Sequence, residues 1–163
     1  MKVSVLALIM LLGLKWFANE VEVEKQAIIY KTRSTYLEEL ERMGFKCPTV
    51  VVAQMIHETG FFTSDIYKVG HNLFGMKKAY HRDHVQKGVY KGHASYESNA
   101  HSLLDYLYWQ QYVGDNWLHR RGKSNFANDE EYYQFLLDVG YAEDKAYIKK
   151  LRNYVKIIND GND

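Results

Sequence analysis

Between Pro48 and Gly60 the chain reads PTVVVAQMIHETG, a run that is apolar on every side of a helix until it ends in Glu58. A surface helix shows one apolar stripe, whereas a segment apolar all round has to be enclosed by the rest of the domain. Pro48 suits a first helical position and Gly60 an exit, so a short buried helix over Thr49 to Glu58 is expected. The β-branched Val50, Val51 and Val52 also permit a strand, and the Ala53, Gln54, Met55 continuation favours the helix. Its last residue is the anomaly. A helix C-terminus carries the negative end of the macrodipole and prefers Lys, Arg or His. The dipole and the apolar neighbours both disfavour a charged carboxylate, so the pKa of Glu58 is expected to be raised. A carboxyl that keeps its proton near neutral pH is what a general acid needs. Gly60, Phe61 and Phe62 suggest a tight turn that would expose this carboxyl beside an aromatic wall. A surface Glu at a helix end is the plain alternative.

The remaining periodicity is mostly helical. Val21 to Met43, with a Glu-rich start and Gly44 after it, reads as one long helix or two. His71 to Tyr96 carries glycines at 75, 88 and 92 and no sustained helical period, which predicts a loop and a small β-hairpin. From Ser98 onward Ala100, Leu103, Leu104, Leu107, Tyr108 and Gln111 fall on one helical face. Asn128 with Glu131 three residues on forms a capping box, and Gly140 is the matching stop. The last helix is expected to begin at Asp144 and to line up Tyr147, Ile148, Leu151, Tyr154, Val155 and Ile158.

At 163 residues, 47% hydrophobic and 25% charged, the chain describes one domain able to bury a core. The 21 basic and 20 acidic side chains nearly cancel, so no chain-wide field argues for a nucleic-acid partner. Cys47 is the only cysteine, which excludes an intrachain disulfide, and it reads as buried apolar filler. Export is still compatible, because Lys2 precedes an apolar run from Val3 to Leu14 of signal-peptide length, too short for a comfortable membrane span. Residues 1–19 are therefore expected to be a signal peptide or an uncleaved anchor, and 20–163 the domain proper. Membrane contact is expected only through that segment if it is uncleaved. Nothing in the pattern calls for an oligomer, and a monomer is expected.

The letters HET invite a zinc reading through H-E-x-x-H, but Phe61 stands where the second His belongs and the motif fails. His81, His84 and His93 cluster in the hairpin region, where solvated histidines are far commoner than metal ligands, so no metal or cofactor is expected. Between Met76 and His93 five Lys or Arg residues, at 77, 78, 82, 87 and 91, oppose the single Asp83. Such a lobe beside Glu58 would attract an anionic polymer; a solvated loop carries the same charge balance.

AQMIHETG followed by NLFGMK resembles the A-Q-x-x-x-E-[ST]-G and N-L-F-G-[MIV]-K signature of the bacterial glucosaminidases, glycoside hydrolase family 73. ASYESNAHSLLDYLYW and YYQFLLDVGYAEDKAYIKKLRNYVKII are similar to the family's later segments, in the same order. The resemblance covers roughly residues 33 to 158. It implies a lysozyme-like fold, mainly α (α+β), with a helical lobe and a small β-hairpin lobe. It also implies hydrolysis of the β-1,4 bond after N-acetylglucosamine in peptidoglycan, outside the cell membrane, by an autolysin-type or phage-type enzyme.

Carried residue by residue, the resemblance makes Glu58 the catalytic acid and Tyr141 the late active-site aromatic. It makes Asn72, Leu73, Phe74 and Gly75 the loop that shapes the cleft, and Tyr96 and Tyr147 further substrate-side positions. His57 departs from the family's apolar residue before the Glu. Retaining glycosidases separate two carboxyls by about 5 Å and inverting ones by roughly 6.5 to 9.5 Å. Asp83 is the only acid of the hairpin region, so it is the candidate second carboxylate; failing it, the substrate's acetamido group or a water held by Tyr141 takes that part. A lytic transglycosylase or muramidase on a similar fold, and a catalytically inactive glycan-binding protein, are the competing readings.

Overall fold

The computed structural model describes residues 5–161, with side chains from residue 14 onward. The first four residues of the expected leader, and the side chains through Gly13, lie outside the described residues. Helix α1 runs unbroken from Val5 to Met43, longer than the Val21–Met43 expectation. Its N-terminal part leaves Leu14, Trp16, Phe17 and Val23 exposed, whereas Ile29 and Leu40 further along are buried. Among the described residues no helix is long and apolar enough to cross a membrane.

Helix α2, Pro48–Glu58, is enclosed as its composition requires: every residue from Val50 to Ile56 is buried. Packed on it are α1 and the C-terminal helix α7, Tyr147–Asp160. Cys47 precedes α2 in the left-handed region and is half-buried rather than filled into the core. After α2 the chain turns through Gly60, Phe61 and Phe62, all at positive φ, and Thr59 closes that turn by donating its hydroxyl to the Met55 carbonyl and accepting from the Phe62 N–H. The short helix α3, Asp65–Gly70, follows.

The expected hairpin is present and narrow: β1, Gly88–Tyr90, pairs antiparallel with β2, His93–Ser95, through a Lys91–Gly92 turn at positive φ. β2 is tied to the preceding loop, since the Ala94 N–H donates to the Met76 carbonyl. Helix α4, Asn99–Trp109, is capped by Ser98 and passes through a π-turn at Gln110–Gly114 into α5, Asp115–His119. The buried face of α4 is not the one the apolar pattern picks out. Leu103 and Leu107 are buried as expected, but Ala100 and Gln111 are exposed, and the inward positions include Ser102, Asp105 and Gln110. Those polar side chains face inward because each has a partner there.

Helix α6, Asp129–Asp138, begins at Asn128 as expected, with the Asn128 side chain accepting from the Glu131 N–H. Glu131 reaches back one residue further than a capping box requires, to the Ala127 N–H. Helix α7 starts at Tyr147 and not at Asp144. Asp144 heads a turn instead, its carboxylate accepting from the Ala146 N–H and its carbonyl from the Tyr147 N–H.

One buried ion pair ties the hairpin region to this helical body. Arg82 makes two parallel 2.9 Å bonds to the Asp105 carboxylate on α4, which also accepts from Tyr96 and Gln86. The two charged side chains are 7% and 0% exposed. Removing one partner strands the other charge in the interior. Arg82→Ala is therefore expected to cost roughly 3–5 kcal/mol in chemical denaturation. Lys91→Ala, at the exposed pair with Asp65, is expected to leave the midpoint unchanged.

Candidate active site

Glu58 sits at the last position of α2, on the floor of an open cleft of about 340 Å³. Burial pushes its pKa up from 4.5 to about 7, against the pull of a hydrogen bond from the Tyr147 hydroxyl. The sequence expectation of a raised carboxyl at a helix end thus has its physical cause in desolvation. Tyr147 is itself held from behind, its hydroxyl accepting from the fully buried Gln54 amide at 3.1 Å.

The loop from Asn72 to Met76 forms the facing wall. Asn72 is buried and spends its whole side chain on that loop and on β2. Its amide donates to the Met76 and Ala94 carbonyls, and its oxygen accepts from the Phe74 and Met76 N–H groups. Asn72 therefore shapes the wall and has nothing left to offer a sugar. Gly75 lies directly against the acid: at φ +63° a Cβ there would meet Glu58 Oε2 at 3.0 Å. Phe74 stacks on Tyr106 with 3.9 Å between ring centroids and also lines the cleft.

Tyr141 closes the other side with Trp109, their rings 5.1 Å apart, and its hydroxyl donates to the Phe74 carbonyl at 2.9 Å. The aromatic wall beside Glu58 is thus Phe74, Trp109 and Tyr141. Phe61 and Phe62, expected to provide it, point elsewhere: the left-handed turn carries Phe61 onto Tyr154 and Phe62 onto Tyr67. Trp109 was not singled out in the sequence; its position at the end of an amphipathic helix marks it only as apolar.

The remaining candidates separate. Tyr96 is buried and donates its hydroxyl to Asp105 at 2.7 Å, away from the cleft lining. Asp83 is exposed and borders a neighbouring concavity with Tyr108, Gln111 and Tyr112. Among the described residues that line the cleft, Glu58 is the one acid, and Lys77, Lys78 and Arg82 supply the charge of its rim. His57 lies behind the site, edge-on to Tyr147 at 5.2 Å and tilted against Tyr154. Burial, aided by Lys150, pushes its pKa down, so the ring packs as a neutral one at pH 7. Among the described residues no group of three His, Cys, Asp or Glu side chains is arranged to hold a metal ion.

A family model described as mannosyl-glycoprotein endo-beta-N-acetylglucosaminidase matches residues 33–160. The fold is similar to the catalytic domain of the autolysin Auto from Listeria monocytogenes, with a TM-score of 0.56 and 24% identity over 83% of this chain and 85% of that one. No curated protein sequence resembles the chain closely enough to count as a match.

The raised Glu58 carboxyl has a consequence for stability. Below pH 4.5 the folded and unfolded chains both hold the proton; between 4.5 and about 7 only the folded chain does, so folding loses stability as pH rises through that window. Glu58→Gln removes the charge and keeps the shape. It is expected to leave the melting midpoint near pH 4 unchanged and to raise stability at pH 8 by up to about 3 kcal/mol, measured by denaturant unfolding at both pH values.

Proposed function

Since the chain belongs to the glucosaminidase family, we propose that it hydrolyses the β-1,4 bond following N-acetylglucosamine in peptidoglycan, with Glu58 as the general acid. One observation carries the assignment: Glu58, the one acid among the described residues of the cleft lining, lies against the Gly75 backbone where burial raises its pKa to about 7. Glu58 protonates the leaving oxygen as the glycosidic bond breaks, and the resulting carboxylate is met by the Tyr147 donor. Gly75 lets the wall come close enough that the acid has one place to go.

The second role falls to the substrate. With Asp83 exposed and absent from the cleft lining, that lining offers no second carboxylate for an ordinary retaining or inverting pair. The Tyr141 proton is committed to the Phe74 carbonyl, so that hydroxyl can hold a water only as an acceptor. The acetamido oxygen of the N-acetylglucosamine unit therefore closes on C1 as the bond breaks, giving a cyclic oxazolinium. Water then opens it, losing its proton to the Glu58 carboxylate, and the anomeric configuration is retained. A lytic transglycosylase also works with one Glu, and the absence of a second acid from the cleft lining is the observation that keeps that reading alive.

The exposed Lys77 and Lys78 suit a polymer bearing lactyl and peptide carboxylates. Such a substrate places the enzyme outside the cytoplasmic membrane, with residues 1–19 as its leader or anchor, and it acts there as a monomer.

Three measurements test this reading. Mass spectrometry of digested wall should show N-acetylglucosamine reducing ends; anhydro-muropeptides would overturn the hydrolase assignment. Glu58→Gln should abolish hydrolysis while the protein stays folded, and wall release by the Gln variant at the native rate would refute the acid. The pH profile of kcat/KM should fall on its basic side with a midpoint near 7, where Glu58 gives up its proton.

A further inference from the structure

Behind the acid runs a line of buried polar side chains that do not line the cleft. Gln54 lies one helical turn before Glu58 and is fully buried. Its amide nitrogen donates to the Tyr147 hydroxyl at 3.1 Å, and its amide oxygen accepts from the Tyr106 hydroxyl at 2.8 Å. Tyr106 is 3.2 Å from the Tyr132 hydroxyl, which accepts from Gln110 at 2.8 Å. Gln110 in turn is anchored on both sides to the backbone of Lys46, accepting from its N–H at 2.7 Å and donating to its carbonyl at 3.0 Å. The run begins beside the start of α2 and ends at the carboxyl that terminates it.

The donors in this run all point one way. Tyr106 has a single proton and gives it to Gln54, so the Tyr132 proton faces Tyr106. Gln54, with its oxygen occupied, must turn its NH2 to Tyr147, and Tyr147, already accepting there, has its own proton free for Glu58. An amide can turn over. If its oxygen faced Tyr147 instead, it would capture the Tyr147 proton and leave the Glu58 carboxylate without a donor. A turned amide would make Tyr106 accept and pass its own proton to Tyr132. The Tyr132 proton would then have no acceptor, because Gln110, fixed on Lys46, presents its NH2 there, so the observed orientation is the satisfied one.

We propose that Tyr106 and Gln54 are positioning residues of the acid: Tyr106 locks the Gln54 amide so that Tyr147 is held as a hydrogen-bond donor to Glu58. The proposal rests on Glu58 being the working acid, but the lock itself is a property of the folded chain. The other groups facing Glu58 do not supply this donor. On α2, His57 packs against Tyr147 and Tyr154; from the facing wall come the Gly75 backbone, the exposed Lys77 and Lys78, and Arg82 neutralised by Asp105. On the remaining side stand the uncharged Trp109 and Tyr141, whose proton is given to Phe74. Lys150 and Asp144 bear on His57 and pair with one another.

The test compares three single-oxygen deletions in the full chain. The Glu58 side-chain carboxyl is followed by carbon NMR from pH 4 to 9, a readout that needs no substrate, beside the basic limb of kcat/KM. Tyr106→Phe should move the Glu58 titration upward by roughly one pH unit, the size of a lost hydrogen bond to a charged group. Tyr132→Phe, which removes a buried hydroxyl of the same kind but leaves Tyr106 on Gln54, should lower stability without moving the titration or kcat. An unmoved titration in a folded Tyr106→Phe, or equal movement in Tyr132→Phe, overturns the lock. Should Tyr106→Phe not fold, Tyr147→Phe removes the final donor directly, and an unmoved Glu58 titration there overturns the proposal equally. Wild-type protein that titrates as described but releases no wall fragments would sink the proposed function and leave the lock standing.

Discussion

The enclosure of α2 governs this molecule. A helix with no solvent face must be covered by α1 on one side and α7 on another, and it can show only its end to water. That end is Glu58. The same burial that secures the helix strips solvent from its terminal carboxyl, so the packing that makes the core also makes the acid. The cost falls where the site needs it, on the charged form of one residue.

Holding an acid is a different matter from raising its pKa, and here the fold depends on satisfied polar groups rather than on apolar fit. Asn72 spends four hydrogen bonds to fold five residues of wall, which brings the Gly75 backbone against Glu58. Asp105 collects Arg82, Gln86 and Tyr96 and so fixes the hairpin region to α4. Partly satisfied networks of this kind would cost more than an apolar filling. Complete ones fix a single geometry, and the turn of α4 toward its polar residues follows from them.

Signals that act through neighbouring backbone are legible in the sequence at α2 and α6 but not at Asp144, and partners distant in sequence are not legible. Pro48, Gly60 and the uniform apolar run bracket α2, and Asn128 caps α6, because each acts through the backbone of its own neighbours. The apolar stripe assigned to α4 failed at Ala100 and Gln111 because Asp105 and Gln110 have partners 23 and 64 residues away, which no periodicity reveals. Phe61 and Phe62 lie close to Glu58 in sequence, yet three successive left-handed residues turn them away. Asp83 is the one acid in its stretch, but composition carries no direction, and the residue is absent from the cleft lining. The hydroxyl of Tyr147 stood out only through family resemblance, and Gln54 and Tyr106 not at all as a pair, since 52 residues separate them.

The charge on the cleft rim and the proton on its floor pull in opposite directions. Cations beside a carboxyl favour ionisation, and an acid surrounded by lysines would lose its proton too early. In this cleft burial is the leading influence on Glu58, and the opposing pull comes from Tyr147, not from Lys77, Lys78 or Arg82. Arg82 is cancelled by Asp105, and the two lysines are exposed. Positive charge held in water is screened by solvent from a buried group of the same cleft. A positive rim and a floor with a raised carboxyl pKa can therefore occupy the same cleft, because burial acts on Glu58 at the end of α2 while the two lysines stay exposed.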